Sequence, residues 1–139
     1  MTTAEYVFEW PVRVYYEDTD AGGVVYHAQY LKYMERARTE WLRAAGVEQD
    51  ALLAEQGVVF AVTRIDLRYL RPARFNEALM VSVAPMRYGR VRIVFEQIVC
   101  RAGESGEALA TARVEVACVD QARFCACAIP DFLVEKLSL

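Results

Sequence analysis

The residues best suited to chemistry lie in one acidic loop just before a predicted helix. Asp18 and Asp20 are separated by one threonine, two glycines follow, and His27, the only histidine, comes seven residues after Asp20. A carboxylate can attack a carbonyl carbon or activate a water molecule. The free N–H groups at a helix start can polarise the carbonyl oxygen. This spacing is compatible with hydrolysis at a carbonyl group.

The same loop also has structural interpretations. An aspartate before a helix is more often a cap than a catalyst. A calcium loop begins similarly, but its downstream ligands are missing here. His27 falls on the apolar arc of the predicted helix, where a lone histidine is usually a core residue. Residue spacing alone therefore leaves both the catalytic and the structural interpretation open.

Two further charged residues, Glu35 and Arg38, fall within the same helical arc. They are three residues apart, so their side chains can touch. Because an unpaired buried charge is costly, we expect both to be largely buried and paired with each other or with a neighbour. They form either a structural ion pair or the polar end of a pocket.

The element that must position these groups is a long helix predicted over residues 28–45. Its apolar stripe is drawn through Leu31, Met34, Trp41, Leu42 and Ala45, and a glycine follows as a stop signal. A short helix is predicted over 49–56, and one or two helical turns over 129–136.

The rest of the chain is typical of β-strands, predicted over 7–16, 59–70, 79–87, 91–101 and 108–119. Pro11 suggests that the first strand lies at an edge or bends, and its apolar face is assigned to Val12, Val14 and Tyr16. In the second strand, alternation places Ala61 and Thr63 on one face with Ile65, Leu67 and Tyr69. The order strand, helix, four strands predicts an α+β hotdog fold, with an antiparallel five-stranded sheet wrapped around one central helix.

Composition limits the possible functions. The 139 residues predict one domain, residues 1–139, and 55% apolar residues with a net charge of −3 argue against disorder and against a nucleic-acid partner. No apolar run reaches the roughly 18 residues of a membrane span. The first ten residues do not resemble a signal peptide, so we expect a cytoplasmic protein.

The cysteines and the single histidine give no sign of a metal site. The four cysteines contain no C-x-x-C pair, and the ligand spacing of a zinc site is missing. We expect reduced thiols, with Cys118 in the core, and we predict neither a metal nor a cofactor.

Three motifs together resemble a known family. The stretch DTDAGGVVYHAQY at 18–30, followed by ERARTE at 35–40 and YLRPAR at 69–74, is similar to the 4-hydroxybenzoyl-CoA thioesterase family. Within it, the match is closest to the YbgC-type acyl-CoA thioesterases associated with the Tol–Pal system. The resemblance implies a hotdog fold, an acyl-CoA substrate and a homodimer or homotetramer with active sites at subunit interfaces. Association with a membrane-envelope system is a further implication.

The resemblance also implies roles for particular residues. Asp20 corresponds to the catalytic carboxylate, and His27 to the second active-site group of this branch. Gly23 and Tyr26 belong to the same neighbourhood, and Glu35 stands where relatives place an acidic residue facing the acyl group.

A predicted hairpin contributes two more candidate substrate-binding residues. Relatives use the turn after the third strand to hold the nucleotide end of CoA, which corresponds to Arg87 and Arg90 here. Arginine suits phosphate, although ordinary solvated turn residues are an equally good interpretation. The tail at 121–129 is less basic than in the family and offers Arg123 alone.

Two other functions remain as alternatives to thioester hydrolysis. A hotdog hydratase or dehydratase would need an acid–base pair suited to the α-carbon, and the DTDAGG loop does not resemble those families. A non-catalytic acyl-binding protein is disfavoured by the intact Asp20 and His27. Whether Asp20 attacks the thioester or activates water is left open by the sequence.

Overall fold

The computed structural model describes residues 7–103 and 107–139. The helices and strands follow the predicted order, and their bounds are β1 Phe8–Arg13, α1 Gln29–Ala44, α2 Gln49–Gln56, β2 Val58–Tyr69, β3 Ala78–Tyr88, β4 Arg92–Arg101, β5 Ala108–Asp120, β6 Cys125–Ala126 and α3 Asp131–Lys136. The interpretation of the first ten residues lies partly outside the described range. No helix within the described residues is long and apolar enough to cross a bilayer.

The strands form one antiparallel sheet in the order β1-β3-β4-β5-β2, and the short β6 pairs with β5. Helix α1 packs against one face of this sheet, so the predicted α+β hotdog fold is confirmed. Pro11 lies in β1, an edge strand as predicted, where its missing N–H costs no internal ladder bond. The two residues of β6 were not predicted, because they are too few to show a period.

The buried face of α1 is rotated from the predicted stripe. It is centred on Tyr33, Met34 and Ala37, whereas Leu31 is 38% exposed and Ala45 is only partly buried. The prediction gave too little weight to tyrosine as a core residue, because Tyr30 and Tyr33, which the predicted stripe omits, are both buried. This rotation moves the residues predicted around Leu31 to the rim of the core.

A β-bulge changes the faces of β2. The pairing with β5 shifts between Val62 and Arg64, which leaves Thr63 as the extra residue. Phe60 and Val62 therefore share the core side with Ile65, and the predicted placement of Ala61 and Thr63 on that side is wrong. A strict alternation drawn from sequence cannot anticipate such an inserted residue.

The predicted first strand also ends early. Val12 and Val14 face the core, but Tyr16 lies beyond the strand in a single 3-10 turn, Tyr16–Asp18, and its ring stacks on Phe75 with centroids 4.0 Å apart. The chain leaves the sheet here because the next N–H groups bond within the turn, that of Asp18 to the Tyr15 carbonyl and that of Thr19 to the Tyr16 carbonyl, each at 3.0 Å. Cys118 is buried as predicted, and the four cysteines are free thiols.

Candidate active site

The loop between β1 and α1 is a small hairpin held at both ends. Isolated bridges join Thr19 to Val25 and Val24 to Arg74. At its tip, the Gly23 N–H donates to the Asp20 carbonyl at 3.0 Å, and Gly23 has a positive φ of 79°. Only glycine adopts that conformation without strain. The glycine therefore shapes the tip that carries Asp20.

Asp18 lies on the inner side of this hairpin. Its carboxylate is 5% exposed and accepts hydrogen bonds from the Tyr15 N–H at 2.9 Å and from the Tyr33 hydroxyl at 2.8 Å. Burial, with the added charge of Asp18, raises the pKa of Tyr33. Asp18 therefore braces the loop against α1 through its Oδ2, and the residue is largely withdrawn from solvent.

Asp20 lies on the outer side and is exposed. Its Oδ1 accepts one hydrogen bond, from the Gly22 N–H at 2.8 Å, and Oδ2 has no hydrogen-bond partner within the described residues. A Cβ at Gly22 would come within 3.1 Å of Oδ1, a tight contact. Asp20 is thus oriented by the backbone, with one oxygen free to meet a substrate.

The start of α1 offers the complementary donors. Ala28 precedes the helix without any capping side chain, and the N–H groups of His27 and Ala28 donate to no acceptor within the described residues. Such orphan donors, together with the positive end of the helix dipole, favour a partial negative charge. They can hold the carbonyl oxygen of a thioester.

His27 and Tyr26 are both exposed beside these donors. Their rings lie 4.4 Å apart, and the His27 carbonyl accepts a hydrogen bond from the Tyr69 hydroxyl at 2.7 Å. Sequence reasoning missed Tyr69 as a site residue, and its position just before the LRPAR stretch was the available signal. Tyr69 ties the end of β2 to the helix start, and therefore holds the donors in place.

A cavity of about 270 Å³ opens next to His27. Tyr30, Tyr69, Leu70 and Pro72 help to line it. Tyr30 also accepts a hydrogen bond from the Ala73 N–H at 3.3 Å, which fixes the chain after β2 against the helix. The reactive loop, the helix start and the end of β2 are therefore one local assembly.

The predicted buried pair of Glu35 and Arg38 is wrong in its geometry. Glu35 is exposed and accepts a hydrogen bond from the Thr39 hydroxyl, while Arg38 is half-buried and donates to Gln97 Oε1 at 2.9 Å. No ion pair joins Glu35 to Arg38 in the described part of the chain. The rotation of α1 explains the difference, because it moves Glu35 out to the rim.

The predicted phosphate-binding arginines lie far from Asp20 within one chain. Arg87 and Arg90 are exposed at the β3–β4 hairpin, and Arg87 Nε donates to the Gly89 carbonyl at 2.9 Å. The Asp20 loop bridges to Arg74, just before the other end of β3. Since β3 has 11 residues, roughly 33 Å separate these ends at 3.3 Å per residue.

A family model, described as the thioesterase-like superfamily, matches residues 14–137 of the chain. The chain belongs to this superfamily. Among its relatives, a Haemophilus influenzae protein named acyl-CoA thioesterase YbgC is 46% identical over 123 residues, 88% of each chain. An Escherichia coli O157:H7 protein named acyl-CoA thioester hydrolase YbgC is 44% identical over 130 residues, 94% of this chain and 95% of the relative. The predicted family is confirmed.

Solved structures agree on the fold of this thioesterase. A 1,4-dihydroxy-2-naphthoyl-CoA thioesterase from Synechocystis superposes with a TM-score of 0.87 over 96% of both chains, at 21% identity, which shows the fold alone. A probable thioesterase from Bartonella henselae superposes with a TM-score of 0.83 at 31% identity, covering 90% of this chain and 100% of the other.

Proposed function

We propose that Asp20 carries the hydrolysis of acyl-CoA to a free acid and CoA in this thioesterase. The observation that supports it most is the exposed Asp20 carboxylate on the short hairpin that leads directly to the unbonded N–H groups of His27 and Ala28. The predicted activity, acyl-CoA thioester hydrolysis, is that of the named relatives, which match most of the chain at 44–46% identity. No observation in the structure favours a hydratase or a non-catalytic binding protein over it.

The chemistry follows from this arrangement. The thioester oxygen accepts hydrogen bonds from the helix-start N–H groups, which stabilise the charge that develops during attack. Asp20 either bonds to the acyl carbon, with loss of the C–S bond and later hydrolysis of the anhydride, or removes a proton from an attacking water. His27 and Tyr26 orient the thioester, and Gly23 allows the chain to approach it closely.

A single turnover in ¹⁸O-labelled water separates the two routes, because only the anhydride route can place label on Asp20.

The proposal includes a homodimer formed through β2, with a tetramer as a possible dimer of dimers. This strand has a free edge, and Val62, Ile65 and Tyr69 are 47%, 38% and 50% exposed on its core side. An unprotected edge of 12 residues is a template for another strand. An antiparallel self-pairing centred on Ile65 would place Arg64 opposite Asp66 of the partner subunit, which matches their charges.

This pairing would also explain how Arg87 and Arg90, which lie far from Asp20 in their own chain, can serve an active site. The β3–β4 hairpin lies at the same end of the sheet as the start of β2, since Arg92 pairs with Ala117 and Val58 with Asp120. A two-fold axis at Ile65 brings the partner's reactive loop to that end. Arg87 and Arg90 of one subunit would then hold the CoA phosphates of a thioester bound at its partner's loop.

The activity is tested by measuring thiol release from a panel of acyl-CoAs by the full chain. Release that follows protein concentration supports hydrolysis, whereas a product with its thioester intact would indicate a hydratase, and binding without release an acyl carrier. Cytoplasmic location and association with the Tol–Pal system stay predictions.

The assembly is tested by sedimentation at micromolar protein. Ile65→Arg would place two like charges together at the axis, and we expect it to yield monomers with reduced thioesterase activity. Ile98→Arg is the matched control, because Ile98 is similarly exposed, at 41%, on β4, which β5 separates from this edge. A monomeric parent chain would contradict the dimer.

A further inference from the structure

An apolar cavity beside the C-terminal half of α1 is lined by two charged side chains that form no ion pair with each other. Its volume is about 210 Å³, and its walls include Trp41, Phe60 and Phe95, with Glu35 and Arg38 also lining it. For comparison, an apolar cavity of about 150 Å³ holds a benzene molecule. The space therefore fits a compact group of about six carbon atoms and leaves little room for a long chain.

Arg38 is held rigidly in the wall of this cavity. Its Nη1 donates to Gln97 Oε1 at 2.9 Å, and the guanidinium carbon lies 5.9 Å from the centre of the Phe95 ring. Gln97 itself is 1% exposed, and its Nε2 donates to the Met34 carbonyl at 3.1 Å. The buried amide anchors the arginine to both the sheet and the helix.

The guanidinium retains donor capacity. Arginine has five N–H donors, and the hydrogen bond to Gln97 is the one its side chain makes within the described residues. Burial lowers the pKa of Arg38, and the charge of Glu35 opposes that effect. A half-buried cation with unused donors beside an apolar space is suited to an acceptor atom at the end of a ligand.

The cavity is too far from the reactive loop of its own chain to serve it with a compact acyl group. Arg38 is 11 residues along α1 from His27, roughly 16 Å at 1.5 Å per residue. The proposed two-fold pairing at Ile65 would bring the cavity of one subunit closer to the Asp20 loop of the other. The helix start lies against Tyr69, and the cavity against Phe60, so an antiparallel pairing sets each loop beside the partner's cavity.

We propose that Arg38 determines acyl specificity, lying in the cavity that one subunit presents to the Asp20 loop of its partner and favouring compact acyl groups with an uncharged oxygen at their far end. The inference rests on the proposed thioesterase activity and dimer. A hydroxyl or carbonyl oxygen can accept a hydrogen bond from the arginine. A carboxylate is disfavoured because the negative charge of Glu35 lines the same space.

The test compares three substrates of equal chain length, namely hexanoyl-CoA, 6-hydroxyhexanoyl-CoA and adipoyl-CoA. A hydrogen bond to a charged group contributes enough for a roughly tenfold preference in kcat/KM for the hydroxylated substrate over hexanoyl-CoA. Arg38→Met should remove that preference, and Arg38→Lys should retain part of it. Arg36→Met, at an exposed arginine of the same helix, is the control and should leave it unchanged.

Glu35→Gln adds a readout that does not depend on the folding of the Arg38 variants. Glu35 is exposed, so the substitution is tolerated, and the rate with adipoyl-CoA should rise several-fold relative to 6-hydroxyhexanoyl-CoA. The inference is overturned if the parent chain hydrolyses all three substrates without preference, or if its preference survives Arg38→Met. Failure of the parent to release thiol from any acyl-CoA would instead overturn the proposed function.

Mixed dimers show whether the cavity acts on the partner's loop. Asp20→Asn and Arg38→Met chains are purified separately, then mixed and left until subunits have exchanged between the two kinds of dimer. In a mixed dimer one site then combines an intact Asp20 with the other chain's intact Arg38, so preference for 6-hydroxyhexanoyl-CoA should return. If each cavity served its own loop, the active sites would all carry Met at position 38 and the preference would stay absent.

Discussion

The inner and outer sides of the loop before α1 carry the same side chain in opposite environments. Asp18 is buried and accepts hydrogen bonds from the nearby Tyr15 N–H and from the Tyr33 hydroxyl of α1, whereas Asp20 is exposed and accepts one from its own turn. A buried carboxylate whose Oδ2 accepts from two donors supports structure, and an exposed one with an unbonded oxygen can react. We therefore expect the two aspartates, two residues apart, to differ in role because their neighbours differ.

The largest loss of activity is expected from Asp20→Asn, on the outer side of the loop. Loss of a general base typically lowers the rate about 10²–10⁴-fold, and loss of a nucleophile can lower it more. The change should appear in kcat more than in KM, because the carboxylate acts in the transition state. The melting temperature should stay near that of the parent, since Asp20 is exposed. Near-normal thiol release by this variant on every substrate of the parent would sink the assignment.

His27→Ala should fall between the two aspartate variants in rate. The imidazole is exposed beside Tyr26. In the proposed mechanism it orients the thioester, so its removal is expected to cost roughly tenfold or more in kcat/KM with folding retained. Steady-state kinetics on several acyl-CoAs provides the measurement. A loss larger than that of Asp20→Asn would mean that His27, rather than Asp20, is the primary group.

On the inner side, Asp18→Ala should mainly affect stability. It removes the acceptor of two hydrogen bonds and leaves the buried Tyr33 hydroxyl unpaired, which costs about 2–3 kcal/mol of unfolding free energy. Urea denaturation followed by fluorescence gives this quantity. Turnover by the folded variant should fall less than with Asp20→Asn, and activity lost only through Asp18 would show that the roles are reversed.

Tyr33→Phe is expected to have the smallest effect of the series. It removes one hydrogen bond to a charged acceptor, for a loss of about 1–2 kcal/mol. Burial raises the pKa of Tyr33 in the folded protein, so the stability it contributes is present below about pH 10 and is lost above it. The parent should therefore lose stability above that pH more steeply than Tyr33→Phe. Tyr26→Phe, at an exposed tyrosine, should change stability by less than about 0.5 kcal/mol.

The local features of the chain were readable from sequence. Asp20, the glycines and His27 occupy one turn and one helix start, so their proximity follows from chain connectivity. The order of helices and strands follows from hydrophobic periods, and the bounds of α2 were predicted to the residue. The family motif lies in the same continuous stretch, which is why it was recognisable.

Only the tertiary structure decided what depends on contacts between distant segments. Asp18 is buried because Tyr33 from α1 reaches it, and Tyr69 meets His27 across 42 residues of chain. The rotation of α1 moved Glu35 to the rim, and the bulge at Thr63 reversed the predicted faces of β2 for the residues before it. A helical or alternating period specifies which residues share a side, but the packing of one element against another selects the side that is buried.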